Sequence, residues 1–334
     1  MPKFSVTIRR IQAWSLIYFA TLGFALVPVQ ALDPAQPPGG NFDLSHWKLT
    51  LPDAIASEIS PELLTAGVTN ASFFTGEDGA MVFSCPVTGG TTSSSSYPRC
   101  ELRELFDPAN ENVNWTGYGR HVIDAQCRVT QIPSSKKTIV GQIHSYTGNA
   151  RPLVKLQFNN GKVEALVKDS PNSDSDTVVS FTTAGLGDLI DYQIKLVDGL
   201  LSMTVNGTNK SVDVFESDSA WRYQAFYFKA GNYCQDNSGT TNEGALVWFY
   251  ELSVAHSGVF ITPPVLSNYA LNANGNFSFS LLGQGDGNYT IQASTDMAAW
   301  SDLLTTNSVA GRFDIVDTST PVPAMRFYRA MRLP

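Results

Sequence analysis

The sequence is poor in positive charge. It has 22 lysines and arginines against 30 aspartates and glutamates, and only 16% of its residues are charged. A nucleic-acid-binding domain usually carries an excess of basic residues, so this composition argues against nucleic acid as a partner. A net-acidic protein can still bind a polyanion, but only through a local cluster of positive side chains. The positions of the few arginines and lysines are therefore informative.

Long stretches with the 3.6-residue periodicity of an amphipathic helix are absent, and only 61–66 is predicted to form a short helix. Short apolar or alternating runs recur instead between turn residues. Asn159-Asn160-Gly161 and Val197-Asp198-Gly199 predict tight hairpin turns. The pattern predicts an all-β fold, a sandwich or a jelly roll of antiparallel sheets. The predicted strands are 47–51, 80–84, 121–129, 153–158, 163–167, 192–196, 201–205, 224–228 and 246–254.

The strand pattern restarts after a proline-rich segment, Thr262-Pro263-Pro264, which we interpret as a linker. We therefore divide the chain into a main β domain, 41–260, and a small C-terminal β-sandwich-like module, 261–334. The role of the module stays open between sorting, surface attachment, carbohydrate binding and passive stabilisation. Its predicted strands are 277–282, 289–293, 313–316 and 326–331.

The first 31 residues have the features of a signal peptide. Basic residues precede a largely apolar stretch, 11–29, and Val29-Gln30-Ala31 offers a small-residue cleavage site. A membrane anchor is the alternative, because the apolar stretch is nearly long enough to span a bilayer. Cleavage is favoured, and it predicts a secreted protein, extracellular or periplasmic, without stable membrane insertion. Residues 32–40, rich in proline and glycine, are then a flexible leader.

Cysteine is also scarce, and an exported protein with four cysteines can form two disulfides in three connectivities. A Gly/Ser/Thr-rich loop separates Cys85 from Cys100, which favours that pair, with free buried thiols as the alternative. The spacing of cysteines and histidines does not indicate zinc, and we expect neither a metal nor a cofactor. The four cysteines are Cys85, Cys100, Cys127 and Cys234.

Charged residues interrupt the strand pattern in the segment 99–103. Because side chains in a strand alternate between two faces, Arg99, Glu101 and Arg103 share one face. Such a row forms either a positive site held in shape by its central carboxylate, or a solvated outer face with a ladder of salt bridges. The segment by itself leaves both interpretations open.

A second polar strand face is formed by Gln142 and His144, with Ile143 directed toward the core. A single histidine is usually structural, and a Gln-x-His triplet alone indicates little. His144 is nevertheless the histidine with a polar neighbour on its own strand face. The other three histidines have no obvious partner in the sequence and are His46, His121 and His256.

The third polar strand lies within 227–235. Tyr227 and Lys229 share a face, and Tyr233 and Gln235 continue it if the alternation survives the intervening glycine. A stretch so rich in aromatic residues would by default be core. The lysine argues otherwise, because burying an unpaired ammonium group is costly.

These three segments resemble, in order and spacing, the motifs of polysaccharide lyase family 7, the alginate lyases. The resemblance spans 41–257 and implies a β-jelly roll of two antiparallel sheets, with the motifs lining a concave substrate groove. Cys100 and Cys234 depart from the family pattern, which leaves the mechanism intact if both point away from the groove. The matching segments are R-x-E-L-R at 99–103, Q-I-H at 142–144, Y-F-K-A-G-x-Y-x-Q at 227–235, and the first strand, NFDLSHWKLTLP, at 41–52.

The resemblance implies β-elimination on an acidic polysaccharide, alginate. Arg99 and Gln142, with help from His144, would neutralise the uronate carboxylate, for which the planar guanidinium is well suited. Tyr233 would protonate the leaving oxygen and, for some sugar stereochemistry, also remove the C5 proton; His144 would be the base when that proton lies on the opposite face. The residues expected to bind neighbouring units are Glu101, Arg103, Tyr227, Lys229 and Gln235.

Substrate preference is indicated only by association. An isoleucine in the Q-x-H segment, here Ile143, is associated in the family with guluronate-containing substrates, which favours polyguluronate or mixed blocks. A lyase acting on another polyuronate, such as glucuronan, remains an alternative, as does a non-catalytic carbohydrate-binding jelly roll. A glycoside hydrolase would need two facing carboxylates, whereas Glu101 and Glu104 fall on opposite strand faces. We expect a monomer.

Overall fold

A computed structural model of the chain describes residues 31–93, 95–146, 151–257, 265–282, 287–308, 312–319 and 325–332. The predicted signal peptide, except for its last residue, lies outside the described residues. So do the predicted linker and the proposed domain boundary, which therefore remain predictions. None of the described helices is long or apolar enough to cross a membrane.

Strands dominate the described part of residues 31–257. The helices are short: α1 (Pro38–Asn41), α2 (Pro61–Thr65), α3 (Val214–Ser217) and a 3₁₀ helix (Ser219–Tyr223). The strands are β1 (Trp47–Thr50), β2 (Glu58–Ile59), β3 (Phe73–Thr75), β4 (Met81–Pro86), β5 (Arg99–Glu104), β6 (Trp115–Thr116), β7 (Arg120–Gln131), β8 (Lys137–Ser145), β9 (Pro152–Asn159), β10 (Lys162–Lys168), β11 (Asp176–Thr183), β12 (Leu189–Val197), β13 (Leu200–Val205), β14 (Thr208–Asp213), β15 (Ala225–Cys234) and β16 (Gly244–Ser257).

These strands form two antiparallel sheets around one hydrophobic core. The groove sheet has the order β11-β10-β9-β8-β15-β5-β1-β2, with β6 beside β15. The back sheet has the order β14-β13-β12-β7-β16-β4-β3. Buried residues of both sheets join a single apolar cluster, so the predicted antiparallel β-sandwich of the jelly-roll type is confirmed.

The alternation of buried and more exposed residues along each strand gives the back sheet one face that packs against the core. On β12, Ile190, Tyr192, Ile194 and Leu196 are buried, while the residues between them are exposed or half-buried. Burying one such side chain stabilises the fold by about 1.5–3 kcal/mol. The groove sheet differs, because every residue of β5 is buried. The inner face of β5 belongs to the core, and its outer face carries polar side chains that are themselves buried.

Both predicted hairpin turns are present. Asn160 and Gly161, which join β9 to β10, have φ angles of 48° and 81°. Asp198 and Gly199, which join β12 to β13, have φ angles of 47° and 88°. Two consecutive residues with positive φ define the type I′ turn, whose twist matches that of the adjoining strands. The Asn-Gly and Asp-Gly signals therefore predicted local structure correctly.

The segment 32–40 differs from the flexible leader that we expected. Leu32 packs against the hydrophobic core, and Pro38 is buried at the start of α1. The Asn41 side-chain amide donates to the carbonyl oxygens of Asp33 and Gly79, at 2.9 and 3.0 Å. Proline and glycine here form a compact turn that packs on the sandwich, because the apolar side chains among them have a core to contact.

The predicted disulfide between Cys85 and Cys100 is wrong, since all four cysteines are free and buried. Cys85 lies on β4 of the back sheet, and Cys100 lies on β5 of the groove sheet, where its thiol donates to the Ser72 carbonyl at 3.1 Å. Cys100 and Cys234 belong to the hydrophobic core and point away from the groove. Both departures from the family pattern therefore leave the groove unchanged.

The C-terminal residues form two three-stranded sheets, with orders β17-β18-β21 and β20-β19-β22. Phe279, Leu281, Tyr289, Ile291 and Ile315 build one small core from both sheets, which confirms the predicted sandwich-like module. The strands are β17 (Val265–Leu271), β18 (Phe277–Leu282), β19 (Gly287–Ser294), β20 (Ser301–Ser308), β21 (Arg312–Asp317) and β22 (Phe327–Arg332).

Candidate active site

The three motif strands are neighbours in the groove sheet, in the order β8-β15-β5. Lys229 of β15 stands opposite Arg103 of β5 on one side and opposite Gln142 of β8 on the other. Tyr227 stands opposite His144. Segments far apart in sequence thus place their polar faces side by side, as the alternation argument requires.

A groove of about 650 Å³ lies over these strands. Eight of the nine predicted site residues line it: Arg99, Arg103, Gln142, His144, Tyr227, Lys229, Tyr233 and Gln235. Several further residues, which were not predicted from the sequence, line the same groove. Lys48 and Lys155 carried a usable signal, since each lysine interrupts an apolar strand as Lys229 does. The missed residues are Lys48, Thr50, Glu58, Thr92, Tyr97, Arg151, Pro152, Lys155 and Lys168.

Glu101 is the predicted residue that does not line the groove. It is 0% exposed, and its two oxygens accept from three side chains. Oε1 lies 2.5 Å from Gln142 Nε2, and Oε2 lies 3.1 Å from Arg99 Nη1 and 2.5 Å from Lys229 Nζ. Burial raises the pKa of Glu101, but the charges of Lys229 and Arg99 outweigh this and hold the pKa below its usual value. Glu101 is therefore placed to hold these three side chains in position, as expected of the central carboxylate of the row, but its burial leaves no exposed surface for the predicted contact with a neighbouring sugar.

Lys229 is a buried cation at the centre of the three motif strands. Its side chain is almost fully buried and bonds to Glu101. Burial and the neighbouring Arg99 charge lower the pKa of Lys229 to about 8, although Glu101 opposes the shift. The ammonium group is therefore charged at neutral pH and loses its proton a little above it.

The two arginines keep unused hydrogen-bond donors. The Arg99 guanidinium lies over the Tyr233 ring, 3.9 Å from its centroid, and the Arg103 guanidinium lies over the Tyr227 ring at 4.3 Å. These contacts fix the planes of both guanidinium groups. Arg99 Nε and Arg103 Nη1 are buried and have no hydrogen-bond partner among the described residues. Because buried donors normally have partners, both groups indicate a missing acceptor.

His144 is held in one tautomer. Its Nδ1 lies 2.8 Å from the Ser145 carbonyl oxygen, which can only accept, so Nδ1 carries the proton. Nε2 therefore keeps its lone pair. Burial, followed by the positive charge of Lys229, lowers the pKa of His144 to about 3, so the ring is neutral at neutral pH. Its face stacks on Tyr227, with centroids 5.3 Å apart.

A β-bulge in β15 helps to determine the position of Tyr233. The register against β8 shifts between Ala230 and Tyr233, which is the signature of a β-bulge. Gly231 has φ of 140°, and a Cβ there would lie 2.8 Å from the Cys100 carbonyl oxygen. Asn232 is fully buried, and its amide donates to carbonyl oxygens of the back sheet. The alternation thus survives the glycine, and the Tyr233 hydroxyl reaches the groove, 2.9 Å from Ser95 Oγ.

Two of the histidines without an obvious partner in the sequence are paired in the structure, away from the groove. His121 Nδ1 and His256 Nδ1 are 2.9 Å apart, and His256 Nε2 lies 2.6 Å from Glu104 Oε1. Burial lowers the pKa of His121 to about 4. Glu104 also accepts from the Trp115 indole at 2.9 Å, which places its side chain on the core face, opposite Glu101. Among the described residues, no group of three or more histidine, cysteine, aspartate or glutamate side chains is arranged to hold a metal ion, and this includes the cluster of His121, His256 and Glu104.

Comparisons with known proteins agree with this geometry. A family model described as alginate lyase matches residues 42–256. The structure of the alginate lyase A1-II′, a member of polysaccharide lyase family 7, is 47% identical, with a TM-score of 0.64 over 66% of this chain and 99% of its own. Variants of that lyase have been solved with the product GGG and the substrate GGMG.

More distant relatives match as well. An alginate lyase structure from Pseudomonas aeruginosa is 36% identical, with a TM-score of 0.60 over 65% of this chain and 100% of its own. A curated alginate lyase from Klebsiella pneumoniae is 27% identical over 303 residues, covering 72% of this chain and 97% of its own.

Proposed function

The chain belongs to the alginate lyase family, polysaccharide lyase family 7, and we propose that it cleaves the 1,4-glycosidic bonds of alginate by β-elimination. The product would carry a 4,5-unsaturated uronate at its new non-reducing end. One observation carries this proposal: in a net-acidic chain, a neutral histidine and a tyrosine lie beside buried arginine donors that have no partner among the described residues. A polyuronate brings the acceptors and the acidic proton that such a site requires.

Neutralising the substrate carboxylate is the first task, because it makes the carbanion that forms at C5 accessible. Arg99 Nε is a donor that no residue in the described part of the chain accepts from, and the ring of Tyr233 holds its guanidinium in place. The Lys229 ammonium is kept charged at neutral pH by Glu101. Gln142 is fixed by the bond that its amide donates to Glu101 and would direct its remaining N–H toward the same carboxylate.

Proton transfer is the second task. His144 Nε2 has a free lone pair, and the ring stays neutral at neutral pH. A carboxylate bound near Lys229 would offset the positive charge that depresses the His144 pKa, so substrate binding itself would strengthen the base. Tyr233, on the neighbouring strand, carries a hydroxyl that protonates the leaving oxygen. For sugars whose C5 proton lies on the same face as that oxygen, Tyr233 would serve both steps.

The preference for polyguluronate or mixed blocks remains part of the proposal. Ile143 is fully buried in the core, so it has no direct contact with a sugar in the groove. If the association with guluronate is causal, it must act through the position of β8 and thereby of Gln142 and His144. Initial rates on block-pure polyguluronate and polymannuronate separate the two preferences, and glucuronan tests the alternative substrate.

Export and a monomeric state complete the proposal. The basic and apolar N-terminal residues support export, and cleavage is tested by N-terminal sequencing of protein recovered from the culture medium or periplasm. Protein that stays in the membrane fraction with an intact N-terminus would support the anchor instead. Light scattering of the purified protein gives the oligomeric state.

The decisive experiment follows the absorbance of unsaturated uronate while purified protein acts on alginate. An elimination raises this absorbance with each cut, a hydrolase gives reducing ends without it, and a binding module gives neither. The Tyr233→Phe variant keeps the ring under Arg99 and removes the hydroxyl. We expect it to fold and to lose turnover, and near-wild-type turnover would remove Tyr233 from the mechanism.

A further inference from the structure

The groove continues past the catalytic strands in both directions, and its two ends differ in charge. The lysine end lies on β9 to β11 and the segments that adjoin them. It consists of Arg151, Lys155, Lys168, Asp174 and Asp176. The glutamate end lies at β1 and β2 and consists of Lys48, Glu58 and Glu111.

At the lysine end, three cations face two carboxylates. Lys155 Nζ lies 2.8 Å from Asp176 Oδ2, Lys168 Nζ lies 2.7 Å from Asp176 Oδ1, and Arg151 pairs with Asp174. The three cations line the groove, and neither aspartate is among the described residues that do. The surface presented to a ligand therefore carries an excess of positive charge. The Asp176 carboxylate is largely buried beneath the lysines, whereas the Asp174 side chain is exposed.

Donors at the lysine end remain unused. Arg151 Nε is buried and has no hydrogen-bond partner among the described residues. An ammonium group has three donors, and Lys155 directs one of them to Asp176. Burial raises the pKa of Asp176, but the bonds from Lys155 and Lys168 hold it below the usual value, so the carboxylate stays charged and keeps both lysines in place.

The glutamate end has more negative than positive charge. Lys48 Nζ lies 2.8 Å from Glu58 Oε2 and 2.7 Å from Glu111 Oε2, so one cation faces two carboxylates. Both glutamates are exposed, and Glu58 lines the groove. A polyuronate that extends in this direction meets repulsion, whereas one that extends toward the lysine end meets attraction.

We propose that the lysine end binds the carboxylate of a uronate outside the cleaved bond, so that the enzyme holds more sugar units on this side of His144 and Tyr233 than on the other. This inference rests on the proposed function. Lys155 stands opposite Gln142 on the neighbouring strand. With strands about 4.8 Å apart, Lys155 lies roughly 10 Å from β15. Since a 1,4-linked sugar spans close to one strand spacing, the bound carboxylate is about two units from the reacting one.

Kinetics on alginate oligomers of increasing length test this subsite. We expect Lys155→Gln to raise KM for long oligomers about tenfold, the size of one charge-assisted contact, with little change in kcat. KM for the shortest oligomer that is cleaved should stay as in the wild type. Lys155→Arg should keep the wild-type dependence on length. Lys210→Gln, an exposed lysine on β14 of the back sheet, is the matched control and should change nothing.

If the ratio of KM between long and short oligomers is the same in Lys155→Gln as in the wild type, the subsite is refuted. A wild-type protein that forms no unsaturated product from alginate refutes the proposed function instead. A second measurement needs no variant. In the wild type, added NaCl should raise KM more steeply for long oligomers than for the shortest one, because more ion pairs are screened. Equal salt dependence would overturn the inference.

Discussion

Replacing Glu101 with glutamine tests whether one buried carboxylate organises the groove. The substitution keeps the size of the side chain and an acceptor for Gln142, but it leaves Lys229 and Arg99 without a counter-ion. Breaking a buried ion pair on one side typically costs about 3–5 kcal/mol. Lys229 limits this cost, because a pKa of about 8 lets it lose its proton at pH 7 for about 1.4 kcal/mol. We expect the free energy of unfolding to fall by about 2–3 kcal/mol.

Activity should suffer more than folding. Without the carboxylate the ammonium form of Lys229 is less stable, so its pKa falls further below 8 and the group is neutral when substrate binds. Arg99 also loses the bond that aligns it. A loss of about 100-fold in kcat/KM, about 2.7 kcal/mol of transition-state stabilisation, is expected at pH 7.5. The pKa of Lys229, about 8, predicts a basic limb of the wild-type pH–rate profile near pH 8, and in the variant this limb should move to lower pH.

The assay is the initial rate of absorbance increase on alginate between pH 6 and pH 9, with urea unfolding of the same samples. Glu251→Gln is the control, since Glu251 is an exposed acid on β16 of the back sheet. A folded Glu101→Gln protein with wild-type kcat/KM and an unmoved basic limb would refute the role assigned to Glu101. A loss of activity in the control would show that net charge, and not this carboxylate, is responsible.

Three further predictions follow from the backbone, the histidines and the thiols. Gly231→Ala should lower the free energy of urea unfolding by about 1–3 kcal/mol, because φ is 140° at this position and the added Cβ meets the β5 backbone. Gly187→Ala is the control: its φ is 83°, but no atom lies near the added Cβ, so the loss of stability should be smaller. Equal losses in the two variants would contradict the clash at Gly231. Folding lowers the pKa values of His121 and His144 below 6.5, so their contribution to stability is complete above pH 6.5. Stability should fall as the pH drops from 6.5 toward 5, by up to about 1.4 kcal/mol per pH unit for each histidine. A constant Tm between pH 6.5 and pH 5 would disprove this prediction. Unfolded protein without reductant should titrate four thiols, and fewer would mean that disulfides form.

The faces of the strands were predictable from the sequence, because alternation is a local property of the extended chain. Arg99 and Arg103 were placed on one face and Cys100 on the other, and the structure agrees. The Asn-Gly and Asp-Gly turns were equally local. Strands such as β11 were missed, since none of its residues is fully buried and its core-facing apolar side chains, Val179 and Phe181, are only half-buried. Their pairing with a neighbour, and not their own pattern, makes them strands.

The alternation of residues along each strand shows, before any fold is known, which side chains share a face. Which of these faces meet, and what lies beneath them, depends on how the strands pack. The order β8-β15-β5 brings Gln142, Lys229 and Arg99 onto one carboxylate, and it buries Glu101 below the surface of the groove. The tautomer of His144 depends on a carbonyl group in a fixed position. These properties arise from contacts between residues distant in the chain, so burial, charge and protonation follow from packing that no local pattern records.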